Sequence, residues 1–270
     1  MSTAMSAATN DGGLGLMLTE LRLPTIKRIA RDLCAQSDSE GWPGKRLLEA
    51  LFEHEMNERE VRRIERHRSE SALSPDKRLS SFEFSAVPSV SKAQVMALST
   101  GHEWLQRGAN VLLFGPPGVG KTHLICGLGH ALIDAGRRVL FMRCSELVQR
   151  LQTARRDLRL GAELAKLDRF DLLILDDLSY VRRDQSETSV LFELIAERYE
   201  RKSIAITANT PFSQWGEVFV DAAMTVAAVD RLVHHSTILE MNVESYRRRV
   251  AQAAQSPAKR AKAATTTTTP

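Results

Sequence analysis

The chain has 270 residues, 43% hydrophobic and 26% charged, which suits one large α/β domain with a small accessory one. Its net charge of +4 and pI near 9.1 are mild, so the placement of charge matters more than its sum. No window approaches the ~20 apolar residues of a membrane span, and the start MSTAMSAATNDGGLG lacks the basic-then-apolar order of a secretory signal. Cys34, Cys126 and Cys144 show no C-x-x-C spacing, which argues for reduced thiols in a cytoplasm and against a disulfide framework or zinc site.

Residues 1–13 are small and polar, and the tail from Ser256, PAKRAKAATTTTTP, offers nothing to bury; both are expected to be disordered. Residues 14–80 read as a small all-α domain. Leu18, Leu21, Leu23, Ile26, Ile29 and Leu33 share one helical face, with Pro24 bending or interrupting its first turn. After the turn Gly41-Trp42-Pro43-Gly44, a second helix groups Leu47, Leu48, Leu51, Phe52 and Met56. It continues as NEREVRRIERHRSE, too polar for core and therefore a solvated or a binding face. A linker around Ser74-Pro75 leads through Phe82-Glu83-Phe84 into a second domain, 81–255.

There helix and strand alternate. A helix over 91–107 precedes a buried strand, Asn110 to Phe114; a helix starts at Lys121, and Arg138 to Met142 is the second strand. Two helical stretches fill 145–168. Then come the strand Asp171 to Leu175, a helix over 186–201 and the strand Ser203 to Thr207. A further helix, the strand Thr237 to Met241 and a last helix from Glu244 close the domain. The alternation predicts an α/β fold with a five-stranded parallel sheet between helices.

The run Gly115-Pro116-Pro117-Gly118-Val119-Gly120-Lys121-Thr122, followed by His123, stands between an apolar strand and a helix. That is the context a phosphate-binding loop requires: its N–H groups converge on phosphate oxygens, and the helix adds its positive end. Lys121 would reach the β- and γ-phosphates of ATP, and the Thr122 hydroxyl would join a Mg²⁺ shell. Asp176 and Asp177 end the buried run Leu172-Leu173-Ile174-Leu175, where an open parallel sheet binds ligands. The first carboxylate would hold Mg²⁺, and the second would orient or deprotonate the attacking water; a plain capping pair is the alternative. Asn209, after the fourth strand, is placed to position that water, or is a turn former. By chemistry alone Arg231 is a surface salt-bridge residue.

Together these elements resemble the AAA+ ATPases. Within them GPPGVGKTHL, DLLILDDLSY, TSVLFELIAERYE, ITANTPFSQW and DRLVHHSTILEMNVESYRRR are similar to the IstB-like ATPases, helpers of insertion-sequence transposition related to DnaC-type helicase loaders. The resemblance runs from about Leu18 to Val250 and includes LRLPTIKRIARDL and the ERE-x-RR-x-ER stretch. It implies that 81–255 is an AAA+ ATPase domain of a bacterial cytoplasmic protein. It makes Asn209 the sensor residue and Arg231 an arginine finger reaching a neighbouring subunit's γ-phosphate, so that a homo-oligomer completes each site. Asp177 stands where most AAA+ proteins have glutamate, one methylene longer, which implies slow turnover. Little chain remains after the last strand for a helical lid, and Arg247, Arg248 or Arg249 would have to supply a second sensor.

The resemblance further implies ATP-dependent, largely sequence-independent binding of duplex DNA and its delivery to a partner transposase. Arg150, Arg155, Arg156 and Arg159 cluster between the second and third strands, a region that faces the centre of related assemblies. Arg59, Arg62, Arg63, Arg66 and Arg68, and the tail residues Lys259, Arg260 and Lys262, are further candidates. Charge without interleaved aromatics suits phosphate contact on duplex better than base stacking on single strands. Three alternatives stay open: a helicase loader binding single-stranded DNA, a weakly hydrolysing ATP switch, and, least fitting, a small-molecule P-loop kinase.

Overall fold

The computed structural model describes residues 13–101, 103–178, 185–210, 215, 221–243 and 245–246. The expected disorder of residues 1–13, apart from Gly13, which is helical, and of the tail from Ser256, and the candidates Arg247, Arg248, Arg249, Lys259, Arg260 and Lys262, lie outside them. The chain forms two compact units, residues 1–66 and 67–270.

The first unit is helical: α1 over residues 13–20, α2 (Pro24–Glu40) and most of α3 (Gly44–Glu70). Pro24 does not interrupt a helix; it opens α2 at a position where its missing N–H costs nothing. That fresh start resets the apolar phase. Leu18, Ile26, Ala30 and Leu51 form the core with Leu23, Ile29, Leu33 and Leu47 packed on it, while Leu21 falls in the turn and is exposed. Leu48, Phe52 and Met56, expected beside Leu51, also face outward. Gly41 closes α2 in the left-handed conformation, its N–H donating to Ser37 O.

The N-terminus of α2 has no cap from its own residues. Glu55 of α3 supplies one: its carboxylate, 2% exposed, accepts from Thr25 N at 2.8 Å and Ile26 N at 3.0 Å. Arg59 donates to the same carboxylate at 2.9 Å and to Arg22 O at 2.6 Å, and Arg62 reaches Thr25 Oγ1 at 3.0 Å. Arg59 and Arg62 are therefore occupied inside the unit, and Arg63 pairs with Glu60, which weakens the reading of this stretch as a DNA face.

In the second unit a five-stranded parallel sheet has the order β2-β3-β4-β1-β5. Its strands are β1 (Asn110–Phe114), β2 (Val139–Arg143), β3 (Leu172–Asp176), β4 (Ser203–Ala208) and β5 (Ser236–Glu240). Its helices are α4 (Lys92–Thr100), α5 (Glu103–Gln106), α6 (Lys121–Asp134), α7 (Cys144–Arg156), α8 (Leu160–Leu167), α9 (Gln185–Arg198) and α10 (Ala222–Val233). The single helix expected over 91–107 is two, parted at Gly101. β1, β3 and β4 are buried along their whole length, as a sheet covered on both faces requires. Each apolar side chain sunk there contributes about 1.5–3 kcal/mol. Asn110, also buried, stitches the foot of the sheet: its amide donates to Leu232 O at 3.0 Å and accepts from Ile204 N at 2.9 Å.

The units part at Arg66–His67, earlier than the division near residue 80 read from the sequence. The intervening stretch packs on the sheet domain. Arg68 pairs with Asp134 at 2.7 Å, Phe141 N–H donates to Ser71 O on the edge of β2, and His130 lies 2.9 Å from Ser74 O.

Burial pushes the Glu55 carboxyl up, but the Ile26 N–H, Arg59 and the Thr25 N–H outweigh it and hold its pKa below the ordinary carboxylate value. Its stabilisation is therefore complete above that ordinary value and is lost as pH falls through the depressed one. Glu55→Gln should cost about 1–3 kcal/mol in urea denaturation of the full chain at neutral pH, the difference from wild type shrinking on acidification below pH ~4.

Candidate nucleotide-binding site

The strand order brings the carboxyl ends of β1, β3 and β4 side by side, and the site lies along that edge. The loop leaving β1 passes close beneath the segment after β5. Gly115 has φ of +151°, and a Cβ there would stand 2.5 Å from Met241 O. Met241 N–H donates to Phe114 O at 2.8 Å and Tyr246 N–H to Gly118 O at 3.1 Å, so both sides of the loop are held. Pro116 and Pro117 are exposed, Val119 is buried, and Gly120 ends the loop at the start of α6.

Lys121 is 5% exposed. Its ammonium donates to Gly115 O at 2.7 Å, Pro116 O at 2.9 Å and Asn209 Oδ1 at 2.8 Å. Thr122 Oγ1 lies 3.0 and 3.1 Å from the two carboxylate oxygens of Asp176. Thr207, fully buried on β4, donates its hydroxyl to Asp176 at 2.5 Å and accepts the Asp177 N–H at 3.0 Å. Asp177 is exposed and left-handed, with φ of +60°, which turns it out of the strand just beyond the buried Asp176. Lys121, Thr122, Asp176 and Asn209 thus form one polar cluster, with Asp177 at its rim. The Thr122 and Asp176 donors are all oxygens, the set a hard cation such as Mg²⁺ takes.

His123 faces elsewhere than the phosphate loop's mouth. Its Nε2 lies 3.1 Å from both Ser81 Oγ and Arg78 O, and its ring meets Phe82 edge-on at 5.5 Å. Phe82, Glu83, Val119, Gly120, His123 and Tyr246 line a narrow cavity beside the loop, edged by aromatic rings. Phe82, Tyr246 and Thr207 were not singled out from the sequence; an aromatic pair ahead of the first strand and a threonine two residues before Asn209 were the available signals.

Arg231 lies apart from this cluster. On α10 it donates to Ala227 O at 2.9 Å and lies over the Phe192 ring of α9 at 5.2 Å. The four candidate arginines between β2 and β3 divide in two. Arg150 pairs with Glu163, and Arg155 with Glu193 and, at 3.1 Å, Ser189 Oγ. Arg156 and Arg159 are exposed, at the tip between α7 and α8. Among the described residues no helix is long and apolar enough to cross a membrane.

A buried parallel sheet in this order, with a glycine loop after β1, an acid at the end of β3 and an amide after β4, defines a P-loop nucleotide-binding protein of the AAA+ class. Residues 16–254 match the family model described as IstB-like ATP binding protein. The chain is 63% identical over 246 residues to an insertion sequence ATP-binding protein of Sinorhizobium fredii, covering 91% of this chain and 83% of that one. It is 37% identical over 234 residues to the ATP-binding protein of insertion sequence IS21 from Pseudomonas aeruginosa, covering 87% and 88%. Among solved structures, DnaI shares the fold with a TM-score of 0.52 at 16% identity, over 67% of this chain and 98% of that one. The chain belongs to the IstB-like ATP-binding family. The resemblance and the five-stranded AAA+ fold read from the sequence are both borne out.

Proposed function

We propose that the protein is a DNA-binding ATPase that assembles on target duplex DNA and presents it to the transposase of its insertion sequence. The observation that carries the ATPase part is the cluster itself: Lys121 held to Asn209 at 2.8 Å and Thr122 facing Asp176 at 3.0 Å, two halves of one polar site. On ATP binding the Lys121 ammonium exchanges the oxygens of Gly115, Pro116 and Asn209 for phosphate oxygens, which releases the Asn209 amide. The N–H groups of the loop share that load, and the adenine enters between Phe82, His123 and Tyr246. Mg²⁺, held by Thr122 and Asp176, would offset the charge of the β- and γ-phosphates. Asp177 orients the water, Asn209 spans water and phosphate, and Arg231 of a neighbouring subunit completes the site.

Support for DNA comes from family membership and from the tip between α7 and α8, where Arg156 and Arg159 are exposed. Arg150 and Arg155, paired internally, set the positions of the helices that carry them. A second reading, an ATP switch with little turnover, is favoured by one observation: Asp177 is short, exposed and held by its backbone in a left-handed turn.

Binding to duplex and single-stranded DNA of equal length, with ATP, ADP and no nucleotide, tests the DNA reading. Tight, ATP-dependent, sequence-tolerant duplex binding is expected; preference for single strands would assign the chain to helicase loading instead. For the site between subunits, Arg231→Ala and Asp177→Asn should each bind ATP and hydrolyse it poorly. Mixing the two should restore part of the turnover, because some interfaces then pair an intact Arg231 with an intact Asp177. Absence of any recovery would contradict catalysis across subunits.

A further inference from the structure

The turn between α7 and α8 places a leucine where folding gains nothing from it. Leu158 is 95% exposed and has φ of +56°. Its N–H donates to Arg155 O at 3.0 Å, and the next N–H, of Arg159, reaches back to Ala154 O at 2.7 Å. This pair of bonds closes a helix through one left-handed residue, a position that favours glycine because a Cβ is strained there. Leucine pays that strain and then leaves its side chain in water. Stability alone would select glycine or asparagine.

The surroundings indicate what the side chain meets. Leu158 is flanked in the run Arg155-Arg156-Asp157-Leu158-Arg159 by cations, with Asp157 the acid among them. Arg156 and Arg159 are exposed. Arg155 is anchored to α9 through Ser189 and Glu193, and Arg150 to α8 through Glu163. The tip is therefore presented on pinned helices. A protein partner with an apolar groove would match a patch, and here one apolar side chain stands inside a charged rim. A lone apolar residue between phosphate-binding arginines is the arrangement by which proteins wedge into a base step, unstacking it and kinking the duplex by ~20–90°.

We infer that Leu158 is a DNA wedge: it enters between base steps of the bound duplex while Arg156 and Arg159 hold the flanking phosphates. The inference rests on the duplex-binding reading above and names the side chain that opens the base step.

The test uses the full chain with ATP, a duplex labelled at both ends to report bending by energy transfer, and 2-aminopurine in its centre to report unstacking. Wild type should bend the duplex and raise 2-aminopurine fluorescence. Leu158→Gly should bind within about threefold of wild type yet lose most of both signals, and Leu158→Met should retain them. Leu158→Gly should also melt about 2–4 °C higher, which shows that the fold is intact. Arg156→Ala with Arg159→Ala should instead weaken binding and flatten its salt dependence. Bending and unstacking by Leu158→Gly equal to wild type would overturn the proposal, as would a wild type that binds without bending. Loss of transposase stimulation alone, with DNA deformation unchanged, would also overturn it and assign Leu158 to a protein contact. A wild type that does not bind duplex at all would remove the DNA reading itself.

Discussion

The Lys121 ammonium is buried, and the loop carbonyls of Gly115 and Pro116 and the amide of Asn209 accept from it. A buried cation is stable only while its protons are accepted, so the loop after β1 and the end of β4 are held together by the same charge. Nucleotide phosphate is a stronger acceptor than any of the three, and its arrival must loosen them. In the proposed function, what happens at the γ-phosphate would be felt at β4, and at Thr207, which joins Asp176 and Asp177 from the same strand.

The other end of the sheet is built for constancy. Asn110 links β1 to β4 and to α10, and the buried Arg198 donates to Leu167 O, Phe170 O and Ser203 O at the feet of β3 and β4. Burial pushes the Arg198 guanidinium down to about 10, with Asp168 and Asp171 partly offsetting that, so it stays charged at neutral pH and its bonds persist. A fixed foot lets the top edge exchange partners without strand slippage. The same logic places Leu158 on helices pinned by ion pairs: a side chain meant to separate base pairs must not give way first.

The glycine loop, the buried strands and the acid at the end of β3 were legible in the sequence because each is imposed locally, by backbone geometry or by continuous burial. Asn209 was legible by position alone. What escaped was tertiary. Glu55 caps a helix that begins thirty residues earlier in the chain, and Arg155 finds Glu193 across 38 residues, separations that no periodicity signals. Leu21 was misplaced because Pro24 starts a new helix and shifts the phase. His123 was read as part of the nucleotide site by adjacency to the loop; its contacts with Phe82 and Ser81, which place it beside the loop, are tertiary. Leu158 falls within the helical stretches read over 145–168, and its exposure and left-handed backbone appear only in the structure.

In the proposed site Lys121 is handed from protein oxygens to phosphate oxygens, with Asn209 its competitor before ATP arrives and a sensor afterwards. Calorimetric titration of Asn209→Ala with ATP and Mg²⁺, alongside steady-state hydrolysis, tests it most directly. The expected result is ATP affinity equal to or tighter than wild type, with hydrolysis reduced about tenfold, roughly 1.4 kcal/mol of lost transition-state stabilisation. Affinity lost together with hydrolysis would show that Asn209 helps hold ATP, and would contradict the exchange.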